Sequence, residues 1–296
     1  MIKVNLINAI KCLFADSTYP PGHFYSPIPS KDDVSKREKS IFGTPVKNID
    51  GIDFNEDSQL KLLAEIQQYY KAFPYTDRPD DKQRYCLDND YYYGSDAMFL
   101  YCLMRHFKPG NIVEIGSGYS SALMLDINEH LFENKTRFCF IDPNPERLFS
   151  RLKPNDRVDN KFVLECTQDV DFSVFEELKQ NDILFIDSSH VSKVGSDVNF
   201  ILFEILPRLR KGVLIHFHDI FYPFVYPKQW ILKGRAWNEV FILRAFLQYN
   251  AAFEIILFNT FLETSHTQWF NDNMPLCLKR SSKEFSDCGS IWLRKK

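Results

Sequence analysis

Two apolar segments in the second half of the chain each end in carboxylates and imidazoles. Asp187 and His190 follow the first segment as Asp-Ser-Ser-His, and the second ends with His216, His218 and Asp219 as His-Phe-His-Asp. Side chains alternate between the faces of a strand, so His216 and His218 share one face. Carboxylates and imidazoles that converge beyond two strands suit a divalent metal site or an acid/base site. A buried hydrogen-bonded network is the alternative interpretation.

A glycine turn with a nearby carboxylate occurs earlier, as Glu-Ile-Gly-Ser-Gly-Tyr-Ser-Ser over residues 114–121. Gly116 and Gly118 let a ligand approach the backbone where a helix begins. The usual dinucleotide fingerprint has a third Gly or Ala where Ser121 stands, and it binds a pyrophosphate that Glu114 would repel. The pattern favours a ligand with an ammonium or sulfonium, such as S-adenosylmethionine. The alternative is that Glu114 is a structural carboxylate.

Two further polar positions are typical of nucleoside binding. Asp142 ends an apolar segment 28 positions after Glu114, where it can accept hydrogen bonds from both hydroxyls of an adenosine ribose. Gln168 and Asp169 follow the next segment and can bind the exocyclic amine of adenine. Helix capping by Thr167 or Asp169 explains that loop equally well.

Short apolar runs alternate with helical patterns around these positions. Their spacing of about 20 to 30 residues leaves one helix per crossover, which predicts an α/β fold with a parallel, doubly wound, Rossmann-like sheet. Strands are predicted at 111–115, 137–141, 161–165, 182–186, 212–217, 253–258 and 290–293, and helices at 120–130, 145–152, 172–179, 197–209 and 237–249.

The N-terminal part differs in composition from the rest. Prolines among charged residues over 15–57 predict turns and extended segments rather than packed helices. An amphipathic helix is predicted at 58–73, and a second helix from Ser95 or Asp96 to Arg105. We therefore expect residues 1–90 to form an arm and helix that serve as a lid or a dimer contact, and residues 91–296 to form the main domain.

Composition excludes several classes of protein. Of 296 residues, 25 % are charged and 45 % hydrophobic, which is typical of a globular protein. A net charge of −3 makes nucleic acid an unfavourable partner. Seven cysteines without a Cys-x-x-Cys pair favour a reducing cytoplasm over a disulfide framework or zinc ribbon. Polar residues interrupt both the N-terminal apolar stretch and the run at 241–258, so we expect neither a signal peptide nor a membrane span.

The chain from about Tyr91 to Lys296 resembles the class I S-adenosylmethionine-dependent methyltransferases. Its Ser-Ser-His and His-Phe-His-Asp elements are similar to those of bacterial methyltransferases of polysaccharide and natural-product pathways. The resemblance rests on the glycine turn with its preceding strand (112–121), Phe140-Ile141-Asp142, Gln168-Asp169, the run 183–190 and His218-Asp219.

This resemblance implies a seven-stranded sheet whose last two strands pair antiparallel, and it implies roles for individual residues. Asp142 would bind the ribose, and Gln168 and Asp169 would lie near the adenine. Glu114, Gly116 and Gly118 would line the methionine portion. The remaining predicted cofactor contacts are Ser117, Ser120 and Asp187.

In metal-dependent sugar O-methyltransferases of this kind, carboxylates after the fourth and fifth strands hold magnesium, and a histidine three positions past the first carboxylate is the base. Asp187, Asp219 and His190 fall on these positions. His218 stands where an acidic residue is expected, which weakens the case for magnesium, because magnesium prefers oxygen, and leaves a softer metal or no metal as alternatives. The predicted catalytic residues are thus His190, Asp187 and His218, and the predicted metal ligands Asp187, His218 and Asp219.

We therefore expect an O-methyltransferase that acts on a hydroxyl, in a small molecule or glycan, with a sugar as the acceptor. The aromatic loop 221–230 and the following segment 235–239 offer faces that stack on sugar rings, or that pack as a lid. A homo-oligomer is compatible with the arm. A nicotinamide-dependent oxidoreductase and a non-catalytic module on the same fold are the alternatives.

Overall fold

The computed structural model describes residues 18–43, 47–78, 82–279 and 287–296, and in this part of the chain a seven-stranded sheet forms the centre of the fold. Its strands are β1 (Asn111–Ile115), β2 (Arg137–Ile141), β3 (Lys161–Val163), β4 (Ile183–Ile186), β5 (Leu214–His218), β6 (Phe253–Phe258) and β7 (Ser290–Lys295). The strand order is β3-β2-β1-β4-β5-β7-β6, and β7 runs antiparallel to both neighbours. The predicted sheet and its antiparallel final pair are confirmed.

Helices cover the sheet. Those of the described residues are α1 (Lys31–Lys36), α2 (Glu38–Phe42), α3 (Glu56–Tyr70), α4 (Gly94–Phe107), α5 (Tyr119–Leu131), α6 (Glu146–Phe149), α7 (Asp156–Asp159), α8 (Ser173–Glu176), α9 (Asp197–Phe200), α10 (Lys228–Leu232), α11 (Glu239–Leu247), α12 (Asn259–Ser265) and α13 (Thr267–Asn273). A π-helical segment, Ile201–Ile205, continues α9 into a last turn at Leu206–Arg208. No helix in the described ranges has the length and apolar character needed to cross a membrane.

The central strands are apolar because both faces of the sheet are covered. All four residues of β4 are at most 1 % exposed. Backbone hydrogen bonds join the strand ends, with the Gly116 N–H donating to Ile141 (3.0 Å) and the Asp187 N–H donating to Ile115 (2.8 Å). The carboxyl ends of β1, β2 and β4 therefore meet at one edge, where parallel sheets bind ligands.

The N-terminal part is more helical than its composition predicted. The expectation of turns and extended segments over 15–57 is wrong for α1 and α2. The Ser30 hydroxyl caps α1 by accepting a hydrogen bond from the Asp33 N–H (3.3 Å), and Val34 is buried beneath it. The expectation of no signal peptide concerns residues outside the described ranges.

Helix α3 packs directly on the sheet. Its Leu63 and Ile66 are fully buried. The Gln59 side chain donates to the Phe54 carbonyl (2.6 Å) and accepts from the Phe258 N–H (2.7 Å), which ties α3 to β6. The segment between the arm and residue 90 thus contributes to the same hydrophobic core as the main domain.

Candidate active site

A cavity of about 620 Å³ opens beyond the carboxyl ends of β1, β2, β4 and β5. Strand ends and the segment after β5 contribute most of its wall. The lining residues are Asp90, Tyr91, Gly116, Ser117, Asp142, Arg147, Asp187, Ser188, Ser189, His190, His218, Asp219, Trp230, Arg235, Trp237 and Asp287. We call this the main cavity.

A second cavity of about 410 Å³ adjoins it on the side of β3. Both share Gly116, Asp142 and Asp187, so the two form one crevice across the ends of five strands. The second cavity also includes Gln168, whose side-chain amide donates to the Gly195 carbonyl (2.6 Å). We call it the side cavity. Both volumes fall in the range of roughly 300 to 1,000 Å³ that is usual for cofactor and small-molecule sites.

The glycine turn is shaped by close backbone contact. Gly116 has a φ of +77°, and a Cβ there would lie 2.0 Å from the Asp187 carbonyl oxygen. Any other residue would push the ends of β1 and β4 apart. The glycine therefore keeps the floor of the crevice narrow enough for two strand ends to face one ligand.

Asp142 faces the crevice and also orders the turn. One carboxylate oxygen accepts hydrogen bonds from the Ser117 N–H (2.9 Å) and hydroxyl (2.8 Å), and the other accepts from the Asn144 N–H (2.8 Å). A carboxylate has about four lone-pair sites, so at least one remains for a ligand hydroxyl. This arrangement fits the predicted ribose contact.

Glu114 lies behind the turn instead of in the crevice. It is fully buried and accepts hydrogen bonds from the hydroxyls of Ser120 and Ser121. Burial raises its pKa to about 8, despite those hydrogen bonds. In the described structure Glu114, Ser120 and Gly118 line neither cavity.

The loop after β3 brings only part of its predicted pair to the crevice. Gln168 lines the side cavity, whereas Asp169 is exposed and, among the described residues, belongs to neither lining. Thr167 is buried at the start of a 3₁₀ turn, Thr167–Asp169.

His190 lies between carboxylates in the main cavity. Its Nδ1 is 2.8 Å from Glu239, and its Nε2 is 3.2 Å from Asp187 and 3.7 Å from Asp219. Burial disfavours the imidazolium, but the hydrogen bonds to Asp187 and Glu239 outweigh it and raise the pKa of His190 well above its usual value. The site therefore favours a proton on this imidazole.

Asp219 and His218 form a second pair beside it. His218 Nε2 lies 3.7 Å from Asp219, and its Nδ1 lies 3.8 Å from buried Asp96. Burial raises the pKa of Asp219 to about 6, although both histidines act to lower it. His190 and Asp219 both have left-handed backbones, with φ of +59° and +55°. Such strained residues are concentrated at functional sites.

The predicted metal ligands do not form a metal-binding group in the described structure. Among the described residues, no group of three or more His, Cys, Asp and Glu side chains has a metal-binding arrangement. Asp187 instead lies 3.2 Å from the His190 imidazole, and Asp219 lies 3.7 Å from the His218 imidazole.

Sequence reasoning missed the role of Glu239 and the position of Arg147. Glu239 begins α11 and is 1 % exposed. Arg147, on α6, places its guanidinium carbon 3.8 Å from the centre of the Tyr91 ring at the cavity wall. A glutamate at the start of an apolar helix can be recognised in the sequence, but a favourable interaction with the helix dipole explains it equally well.

Three side chains from the aromatic loop and the segment that follows it line the main cavity, namely Trp230, Arg235 and Trp237. Trp237 packs on His190 with 4.3 Å between ring centres. The Arg235 guanidinium carbon lies 4.1 Å from the Trp230 ring and 4.8 Å from the Trp237 ring. These side chains form one wall of the main cavity.

Comparisons with known proteins point to one domain type. Residues 113–220 match a family described as a methyltransferase domain. An uncharacterized protein of Archaeoglobus fulgidus is 37 % identical over 168 residues, which is 56 % of this chain and 76 % of that protein.

Solved structures give weaker likeness. The methyltransferase PaMTH1 of Podospora anserina, solved with S-adenosylhomocysteine, is 16 % identical, with 92 % of this chain and 99 % of that chain covered and a TM-score of 0.43. The O-methyltransferase TomG of Streptomyces achromogenes, solved with S-adenosylmethionine, is 13 % identical, with 89 % and 96 % covered and a TM-score of 0.45. Likeness at this level carries no conclusion about the substrate.

Proposed function

This chain belongs to the class I S-adenosylmethionine-dependent methyltransferases, and on that premise we propose that it methylates a hydroxyl group of a sugar. The observation that carries the proposal is His190, which a carboxylate partner holds at the wall of the main cavity. A hydroxyl is a poor acid, and its methylation needs a group that removes the proton. The family match decides against the nicotinamide oxidoreductase considered above.

The crevice has the residues to hold the methyl donor. Asp142 would accept from the ribose, and Gln168 lines the side cavity where the adenine would lie. Bound S-adenosylmethionine supplies a methyl group on a sulfonium, which is already activated for transfer. The protein must therefore orient the acceptor, exclude water and receive one proton.

We assign the proton to Nε2 of His190. In its neutral form, Nδ1 keeps its hydrogen toward Glu239, and Nε2 presents a lone pair beside Asp187 and Asp219. Uptake of the acceptor proton produces an imidazolium that three carboxylates stabilise. No step in this assignment passes through a metal.

A sugar acceptor is supported by the composition of the cavity wall. The indole rings of Trp230 and Trp237 offer apolar faces, and aromatic faces stack well on sugar rings. Asp90, Ser189 and Asp287 add hydrogen-bonding groups around them. A glycan or a glycosylated metabolite has this combination of apolar ring faces and hydroxyls.

The experiment measures S-adenosylhomocysteine release with a panel of methyl glycosides, and with catechol and phenol as non-sugar acceptors. Turnover with at least one glycoside is expected, and His190→Gln should reduce it about 10²- to 10⁴-fold with donor affinity unchanged. Turnover with phenols alone would contradict the sugar acceptor. His190→Gln turnover within about threefold of the wild type would contradict the base.

We further propose that the arm acts as a lid and that the enzyme works in a reducing cytoplasm. Glu38 of α2 pairs with Lys228 of α10 at 2.7 Å, and α10 also carries Trp230 of the cavity wall. Cys86, Cys102 and Cys139 are buried thiols that form no disulfide. Glu38→Ala should raise the KM for the acceptor severalfold; light scattering would show whether the arm instead serves a homo-oligomer.

A further inference from the structure

We propose that Glu239 is the positioning residue that fixes which nitrogen of His190 faces the acceptor. This inference rests on the proposed function and extends it to a residue that touches neither ligand. Glu239 lies outside both cavity linings of the described structure. It contacts the cavity wall through His190 and Ser188.

The hydrogen bond defines one orientation of the imidazole. Oε2 of Glu239 lies 2.8 Å from Nδ1 of His190, and Oε1 accepts from the Ser188 hydroxyl at 2.8 Å. A carboxylate only accepts hydrogen bonds, so Nδ1 donates to Glu239. Because this contact is shorter than the 3.2 Å contact between Nε2 and Asp187, Nδ1 keeps its hydrogen when the imidazole is neutral. The lone pair of the neutral imidazole is then on Nε2, the nitrogen that faces Asp187 and the main cavity.

The backbone holds the same geometry from the other side. The N–H groups of Asn238 and Glu239 both donate to the His190 carbonyl, at 3.0 and 3.1 Å. The Ser188 hydroxyl accepts from the His190 N–H at 2.9 Å while it donates to Glu239. The start of α11 thus holds the His190 loop through both backbone and side chain.

Burial makes this contact decisive. Glu239 is 1 % exposed and His190 is 5 % exposed, so water does not offer Nδ1 an alternative acceptor. In Glu239→Gln the amide oxygen keeps the hydrogen bond from the Ser188 hydroxyl, which leaves the N–H₂ donor against Nδ1. The donor form favours hydrogen on Nε2, which cannot then receive the acceptor proton.

The test compares Glu239→Gln and Glu239→Asp with a matched control, Glu263→Gln. Glu263 is also buried, on α12, and lies outside both cavity linings of the described chain. Turnover is measured with the methyl glycoside that the wild type uses best, together with KM, donor affinity and melting temperature. We expect Glu239→Gln to lower kcat about 100-fold or more while KM and donor affinity change less than about threefold. Glu239→Asp should retain more turnover than the glutamine variant.

A second arm needs no acceptor. In ¹⁵N-histidine-labelled protein with bound S-adenosylhomocysteine, the His190 resonance is assigned by its loss in His190→Gln. An exchange-protected Nδ1 proton should be present in the wild type and in Glu263→Gln, and absent in Glu239→Gln. Its persistence in Glu239→Gln, or a kcat near that of the wild type, would overturn the inference. If the wild type methylates no hydroxyl but shows this proton, the proposed function fails and the contact stands.

Discussion

Asp142→Asn should weaken binding of the methyl donor, because this carboxylate both shapes the glycine turn and faces the ligand. Three of its lone-pair sites accept from Ser117 and Asn144. An amide of the same size has one acceptor atom, so its N–H₂ must oppose either the Ser117 donors or the Asn144 N–H. Loss of one charge-assisted hydrogen bond to the ribose costs about 1.5 to 3 kcal/mol, or roughly 10- to 150-fold in affinity.

Calorimetry with S-adenosylmethionine and S-adenosylhomocysteine measures this change. Asp169→Asn is the matched control, since Asp169 belongs to the same predicted cofactor set but is exposed outside both linings. Its dissociation constant should stay within about twofold of the wild type. An Asp142→Asn protein with an unchanged melting temperature and an affinity within threefold of the wild type would refute the reasoning, as would an equal loss in Asp169→Asn.

Three further predictions concern His190, His216 and the requirement for a metal. Turnover should rise with pH, and the midpoint of this rise should lie above pH 6.5. Burial disfavours the imidazolium of His190, but the hydrogen bonds to Asp187 and Glu239 outweigh it and raise the pKa. A pH–rate profile with its midpoint near pH 6 would instead identify Asp219 as the base. His216→Phe should reduce the loss of thermal stability between pH 7 and 5.5. Buried His216 has no hydrogen-bond partner among the described residues and burial lowers its pKa, so only the unfolded chain takes up a proton there in this pH range. If this is wrong, the melting temperatures of the variant and the wild type will fall equally with pH. Chelation with EDTA should leave turnover within about twofold, and a loss that Mg²⁺ or Mn²⁺ restores would contradict the geometric argument against a metal.

The strands and the crevice could be predicted from the sequence for a physical reason. Buried parallel strands are continuous apolar runs, and their carboxyl ends meet at one edge of the sheet independently of the lengths of the connecting helices. The positions of Gly116, Asp142, Asp187 and Asp219 in one crevice follow from these two facts. The predicted cofactor and catalytic roles stay predictions that the experiments above address.

The N-terminal helices and the environment of Glu114 required the structure. A composition rich in proline predicts turns on average, whereas one serine cap and one buried valine suffice for α1. The charge of Glu114 depends on complete burial, which no local pattern reveals, and burial raises its pKa to about 8.

Sequence alone determined that His190 stands at a strand end with Asp187 three residues before it. Only the tertiary structure decided that Glu239, 49 residues later, reaches its other nitrogen. The path of the long connection after β5 sets where α11 begins, and that path depends on packing among Trp230, Trp237 and the sheet. The protonation of the imidazole depends on carboxylates from three separate segments, and these carboxylates lie around it only once the chain has folded.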